Sequence, residues 1–353
     1  MSSLKNFYKN KRILVTGHTG FKGTWLTACL LKFNSKIMGY SKPDKRLKFY
    51  KTMCNYKKVK NVYADILDYK NLKKNIQNFK PQIIFHLAAQ SLVSESYKFP
   101  LETVATNTMG TGNILNISRN LKSLSSLIII TSDKCYFNRE FQRGYKETDI
   151  LGGEDLYSAS KASAEIIFKA YAESFFKFQN RFGYATVREG NVIGGGDWSK
   201  NRIIPDCVRS IVQNKTLIIR NPQSTRPWQH VLEPISGYLL LAKKIFEKKK
   251  KYSGSWNFGP TFNETMKVKN IVELFLKRLS SRKKIIFKKG NFREANLLKL
   301  NSSNALDKLK WKNTWNMRKS ILKTANWYDH YIKKLDLKDI TNFQIKEYFK
   351  LND

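Results

Sequence analysis

An α/β protein, with a doubly wound parallel sheet and a smaller second unit, is what this 353-residue sequence predicts. Two observations carry that expectation. Short apolar runs rich in β-branched residues alternate with helix-periodic segments through the first half of the chain. A glycine-rich turn, "GHTGFKG", joins the first such run to the first helical segment.

Taken in order, "RILVTG" (12–17) is a short buried strand and "FKGTWLTACLLKF" (21–33) an apolar helix. "SKIMGYS" and "NVYADILD" (61–68) are the second and third strands, and the polar helix "YKNLKKNIQNF" follows. "PQIIFHLAA" (81–89) is the fourth strand, and "TNTMGTGNILNISRNL" (106–121) its helix. "SLIIITS" is the fifth. A polar loop leads to the helix "YSASKASAEIIFKAYAESFF", and "RFGYATVREGNVIGGG" is a sixth strand entering a glycine turn. From about residue 190 the elements shorten and Pro and Trp become more frequent. There is no internal repeat and no low-complexity linker.

Hydrophobic residues make up 41% of the chain, enough for a sizeable core. No apolar run approaches the ~20 residues of a membrane span, and "MSSLKNFYKNKR" has no signal-peptide apolar region. Cys29, Cys54, Cys135 and Cys207 are scattered without a CxxC, as suits reduced cytoplasmic thiols. His18, His86, His230 and His330 show no metal-ligand spacing, so no metal is expected. The net charge of +38 raises the question of a polyanion partner. Yet 50 Lys are spread through nearly every segment against 15 Arg, and no nucleic-acid module is present. "KKIFEKKKK" (243–251) and "KKIIFKK" (283–289) read as solvated helix ends and strand rims. Neither nucleic acid nor membrane is an expected partner; the field favours an anionic small molecule.

Gly17, Gly20 and Gly23 are spaced GxxGxxG. They let backbone approach a pyrophosphate at the positive end of a helix. Between a strand and a helix near the N-terminus they predict a Rossmann-type dinucleotide site, with a plain tight turn as the other reading of the same glycines. The ribose-binding acid usual ~20 residues on is replaced by Gly39, Tyr40 and Ser41, followed by Lys42, Lys45 and Arg46. The residues alone therefore leave NAD or NADP open. In "YSASK", Tyr157 and Lys161 lie one helical turn apart on one face, where an ammonium lowers a phenol's pKa. The spacing also occurs at Tyr56/Lys60 and Tyr69/Lys73, but only Tyr157 follows a fifth strand and "TSDK" (131–134). In that row Asp133 and Lys134 can face one ligand only if the strand has already ended at Ser132.

The glycine triplet, "HLAAQ", "TSDK" and "YSASK", in this order, resemble the extended short-chain dehydrogenase/reductase family. "LVTGHTGFKGTWL", "TSDKCY", "LGGEDLYSASK", "GNVIGGGDW", "NRIIPDCVR" and "IRNPQSTRPWQHVLEPISGYLLLA" are similar to its CDP-glucose 4,6-dehydratase branch, from about residue 7 to 350. The resemblance implies NAD as cofactor, a nucleotide-sugar substrate and a homodimer or larger homo-oligomer pairing two helices from each subunit. It implies an NAD-binding domain over 1–187 with a return segment at about 229–258, and a sugar-nucleotide domain over 188–228 and 259–353. Cofactor contacts fall to Gly17, Thr19, Gly20, Phe21, Lys22, Gly23, Asp65, Ile66, Leu87, Ala88, Ala89, Gln90 and Asn107, with Tyr157 and Lys161.

Tyr157 would take the proton of the sugar 4-hydroxyl, Lys161 hold the nicotinamide ribose, and Ser132 bond the 4-oxygen. Lys134 would remove the C5 proton, and Asp133 protonate the departing 6-hydroxyl. A base lysine needs cationic neighbours, and an acid aspartate needs burial. Arg202 and Arg226 are expected at the diphosphate, and Asn191 at the diphosphate or sugar. Ile203, Gly196, Asp197, Trp198, Arg220, Asn257 and Arg293 are expected around the nucleotide sugar. The chain departs from the branch pattern at Glu189, where a small residue is usual, and at Arg293, Asn301 and Asn304. Two other functions fit parts of this pattern: another extended short-chain reductase acting on a nucleotide sugar (an epimerase, or a dehydratase for a different nucleotide), and a non-catalytic basic nucleotide-binding protein. An epimerase would not need the Asp133–Lys134 pair, and the intact Ser132, Asp133, Lys134, Tyr157 and Lys161 argue against a non-catalytic protein.

Overall fold

The computed structural model describes residues 2–43, 47–260, 266–281, 284–288 and 297–351. Seven strands form the main sheet: β1 Arg12–Thr16, β2 Lys36–Ser41, β3 Val59–Tyr63, β4 Ile83–His86, β5 Ser126–Ile130, β6 Gly183–Glu189 and β7 Gly254–Phe258. Their order is β7-β6-β5-β4-β1-β2-β3, and every pair is parallel. The chain winds outward from β1 to β3, then restarts at β4 and winds the other way. The reversal opens a crevice at the carboxyl ends of β1 and β4.

Both faces are covered, which is why the strands are near-continuous apolar runs. Ile13 and Val15 pack into a cluster with Trp25, Leu26, Ile235 and Leu239, from helices α1 (Phe21–Lys32) and α5 (Leu232–Glu247). Leu14 points the other way, toward Leu72, Ile76, Ile114 and Phe168. These come from α2 (Tyr69–Phe79), α3 (Gly110–Ser118) and α4 (Leu156–Tyr171).

Some elements differ from the sequence reading for local reasons. The third strand stops at Tyr63; beyond it the Asp65 carboxylate accepts from the Leu67 N–H at 3.0 Å, and Asp68 caps α2. A π-helical turn, Ala105–Met109, precedes α3. β7 has no strong strand signal in "GSWNF" and forms because the edge of β6 supplies its partner, with Gly254 opposite Ala185.

The remaining chain holds short strand pairs and the helices Ile203–Val212, Val268–Arg278, Met317–Ile332 and Leu337–Phe349. It is tied to the sheet half by buried polar contacts. Trp25 donates to the Gly195 carbonyl at 2.8 Å, and Tyr348 donates to Glu233 at 2.8 Å. Among the described residues no group of His, Cys, Asp and Glu could hold a metal, and no helix is long and apolar enough to cross a membrane.

Candidate active site

The glycine loop is pressed against the end of β4. Gly17 has φ +71°, and a Cβ there would stand 2.8 Å from the Ala88 nitrogen. A Cβ on Gly23 would overlap the Gly17 carbonyl oxygen. Gly20 caps α1 without any side-chain hydrogen bond, so the first N–H groups of the helix face the crevice. The residues present fit the pyrophosphate of a dinucleotide.

A cleft of about 770 Å³ runs from the ends of β2 and β3, across this loop, to the ends of β5 and β6. At its first end Ser41 stands where an acid is usual. Asn61 donates to the Tyr56 and Val59 carbonyls, which turns its oxygen toward His18 Nε2 at 3.1 Å. His18 Nδ1 then accepts from Ser41 at 2.8 Å, and Ser41 lies 3.0 Å from the Thr19 hydroxyl. Burial lowers the His18 pKa to about 4, so this chain is neutral. Asp65 and Ile66 line the same end, with Ile66 against Gly110. Leu87, Ala88, Ala89 and Gln90 form the wall beside β4.

At the other end β5 stops at Ile130 and Ser132 caps a 3₁₀ turn, Asp133–Cys135. Asp133 and Lys134 are therefore not strand neighbours on opposite faces. Both line the cleft, with Ser132, Tyr157 and Lys161. Helix α4 places the last two, and its N-cap Asp155 accepts from the Ser158 N–H at 2.9 Å. Tyr157 hydrogen-bonds Ser132. The phenol does not follow the simple expectation of a lowered pKa. Burial pushes it up to about 12, and Ser132 and Arg202 offset only part of that. Burial likewise lowers Lys161 to about 8.

Phe21, Lys22, Asn191, Gly196, Asp197, Trp198, Arg202 and Ile203 all line this cleft. Asp197 pairs with Arg202 at 3.1 Å, and Trp198 stacks on Phe49 at 4.8 Å. Two expected contacts stand behind the wall instead. Asn107 holds Gln90 in place, accepting from its N–H at 2.8 Å and donating to its carbonyl at 3.0 Å. Asn257 is fully buried, accepting from Tyr136 and donating to the Tyr145 and Asn301 carbonyls; its polar atoms are used up in packing the chain. The side chains of Arg220 and Arg226, and the whole of Arg293, lie outside the described residues.

Sequence reasoning left Asp155 and Glu189 out of the site, although both line the cleft. The signal for Asp155 was a capping acid just before a helical run. For Glu189 it was a charge ending an apolar buried strand. Lys22 reaches across the cleft to pair with it. Behind β5 and β6, Glu165 pairs with Arg188 at 2.7 Å with both side chains buried, and accepts from Thr131 and Thr186.

A family model described as GDP-mannose 4,6 dehydratase matches residues 14–324. The CDP-glucose 4,6-dehydratase of Salmonella typhimurium is 40% identical over 350 residues, covering 98% of each chain. Among solved structures, the UDP-glucose 4-epimerase of Thermotoga maritima superposes with a TM-score of 0.80 at 18% identity, over 91% of this chain and 99% of that one. The dTDP-glucose 4,6-dehydratase of Bacillus anthracis, in complex with NAD, superposes at 0.76 with 21% identity, over 94% and 99%. These last two likenesses establish the fold.

Proposed function

The chain belongs to the GDP-mannose 4,6 dehydratase family, and from that premise we propose an NAD-dependent sugar-nucleotide 4,6-dehydratase that converts CDP-glucose to CDP-4-keto-6-deoxyglucose. One observation supports the chemistry above all: Asp133 and Lys134 leave the strand on a helical turn and line the same cleft as Ser132, Tyr157 and Lys161. The nearly full-length likeness to a CDP-glucose enzyme supports the substrate.

NAD held in the cleft would supply a hydride acceptor for sugar C4 and then a hydride donor for C6, with no net change in its oxidation state. Gly17, Gly20, Gly23 and the start of α1 would hold its pyrophosphate, with Asp65 and Ile66 toward the adenosine. Tyr157 receives the proton of the 4-hydroxyl once its phenol is ionised, which requires the positive charge of Lys161 and of the oxidised nicotinamide to offset the burial that raises its pKa, and Ser132 bonds the 4-oxygen. Once C4 is a ketone, Lys134 removes the acidified C5 proton and Asp133 delivers a proton to the departing 6-hydroxyl. Arg202, beside Asp197, faces the diphosphate. An epimerase needs no acid–base pair for elimination, so the Asp133–Lys134 turn separates the two readings.

A homodimer through the outer helices and a cytoplasmic location belong to the same proposal. Leu101, Met109 and Ile166 are exposed apolar residues on the helices Pro100–Val104, Ala105–Met109 and α4. The four cysteines are buried and unpaired. Light scattering tests the assembly. The function is tested by turnover of CDP-glucose, dTDP-glucose and GDP-mannose side by side, following nicotinamide absorbance. CDP-glucose is expected to be consumed without net NADH. Growth of NADH in step with product, or C4 inversion without loss of water, would replace the dehydratase reading.

A further inference from the structure

Lys22 and Glu189 pair inside the cleft, and none of the roles above uses the pair. Lys22 is the second residue of α1, which rises from β1; Glu189 is the last residue of β6. β4 and β5 lie between β1 and β6 in the sheet. The lysine therefore spans the carboxyl ends of both to reach the carboxylate. Glu189 is buried, and apart from this ion pair neither of its oxygens has a hydrogen-bond partner. Removing one partner of such a pair strands a charge in low dielectric, so the two act as a unit.

Their place in the cleft gives that unit a use. The adenosine end is at Ser41 and Asp65, and the pyrophosphate cradle is at the start of α1. The redox-active end of a dinucleotide must then lie toward β5 and β6, near Tyr157 and Lys161. Glu189, at the carboxyl end of β6, stands in that half, and Lys22 reaches it from the start of α1 through the ion pair. Lys161 and Arg202 add positive charge there, Asp133 and Asp197 negative, and Asp197 is already committed to Arg202. A nicotinamide ring is cationic when oxidised and neutral when reduced, so the local charge favours one form over the other.

Resting on the dinucleotide reading above, we infer that the Lys22–Glu189 pair sets the charge of the nicotinamide half of the cleft, and with it the relative affinity for the oxidised and reduced cofactor. A cycle that takes the hydride and gives it back needs neither form to be trapped. Glu189 supplies the negative charge that keeps Lys22 from disfavouring the cationic ring.

The two groups titrate in a way that makes this measurable. Burial, with Lys161 and Arg202, lowers Lys22 to about 7, while burial pushes Glu189 well up. The pair is neutral as a whole, whether their shared proton sits on nitrogen or oxygen. Lys22 alone is cationic below about pH 7 and neutral above it. Burial holds the proton on Glu189 well above the ordinary carboxylate range, so its anionic form grows as pH rises.

The experiment measures Kd for NAD and for NADH in the full-length wild type, Glu189→Gln, Lys22→Met and the double variant, at about pH 6 and about pH 8.5. NADH fluorescence reports one form and competition the other. Glu189→Gln is expected to raise Kd(NAD)/Kd(NADH) at least about fivefold at the lower pH, and much less at the higher. Lys22→Met is expected to lower the ratio, more at the higher pH. The double variant should return near the wild-type value at both. A tenfold change in the ratio moves the potential of the bound two-electron couple by about 30 mV. If either single variant does not fold, the other still carries a prediction of definite sign. An unchanged ratio in a folded single variant, or equal weakening of both forms, overturns the inference while leaving the dehydratase reading intact. Wild-type protein that binds neither form overturns both.

Discussion

The Ser132 hydroxyl donates to Asp133 Oδ1 at 3.0 Å while accepting from the Lys134 backbone N–H at 3.2 Å. One side chain thus sets the turn that carries the acid and the base.

Single substitutions in this turn should separate the steps. Lys134→Met is expected to permit hydride removal at C4 and to stop elimination, leaving bound NADH and a 4-keto sugar. General-base loss typically costs ~10²–10⁴-fold in rate. Asp133→Asn should stall loss of the 6-hydroxyl yet still exchange the C5 proton with deuterated solvent. Tyr157→Phe should show neither NADH nor exchange. Rapid-mixing absorbance and mass spectrometry read all three. Wild-type exchange in Lys134→Met would assign the base to another group.

Glu165 and Arg188 should matter to stability rather than to chemistry. They pair at 2.7 Å with both side chains buried, between Thr131 and Thr186. Arg188→Met leaves a buried carboxylate without its partner, at a cost of about 3–5 kcal/mol. Denaturant unfolding is the measurement. Replacing both residues with apolar ones is expected to recover much of that loss, because no stranded charge remains. Arg188→Met at wild-type stability would show that the pair is dispensable.

Gly23 admits no side chain. Its Cβ would overlap the Gly17 oxygen, so Gly23→Ala must push α1 off the loop. The expected result is NAD affinity lowered by tenfold or more, a loss of about 1.4 kcal/mol, with the sheet still folded. Gly112, on α3, has open space around its Cβ. Gly112→Ala should keep NAD affinity and gain a few tenths to about 1 kcal/mol of stability. Calorimetric titration and thermal unfolding compare the two.

Glu233 gives a pH signature. Burial raises its carboxyl to about 7, although it accepts from the Trp315 and Thr314 N–H groups and from Tyr348. A carboxyl whose pKa is higher in the folded state binds its proton there first. Its contribution is greatest in acid and is lost as pH rises from about 4.5 through 7. The stability of wild type relative to Glu233→Gln should therefore increase on going from about pH 7.5 to about pH 5, by a few kcal/mol. A difference independent of pH would place the Glu233 pKa in the ordinary range.

The strand–helix alternation, the glycine cradle and the Ser132–Lys134 row are legible in the sequence because their causes are local. β-branched runs extend, a buried helix start needs glycine, and polar residues end a strand at its rim. So are Tyr157 and Lys161, whose spacing alone puts them on one face. Asn107 and Asn257 are not, because an amide contacts a ligand or packs a loop according to what stands around it. Only the folded chain brings the Tyr136 hydroxyl and two backbone carbonyls to Asn257. The rise of the Tyr157 phenol to about 12 is likewise invisible in "YSASK", since it comes from burial by segments far along the chain. Lys22 and Glu189 are 167 positions apart, and only the sheet order makes them partners. Short-range conformational preference determined most of the elements, while β7 needed the edge of β6 as its partner. Which charges meet, and how far from water, was decided by packing between segments remote in sequence.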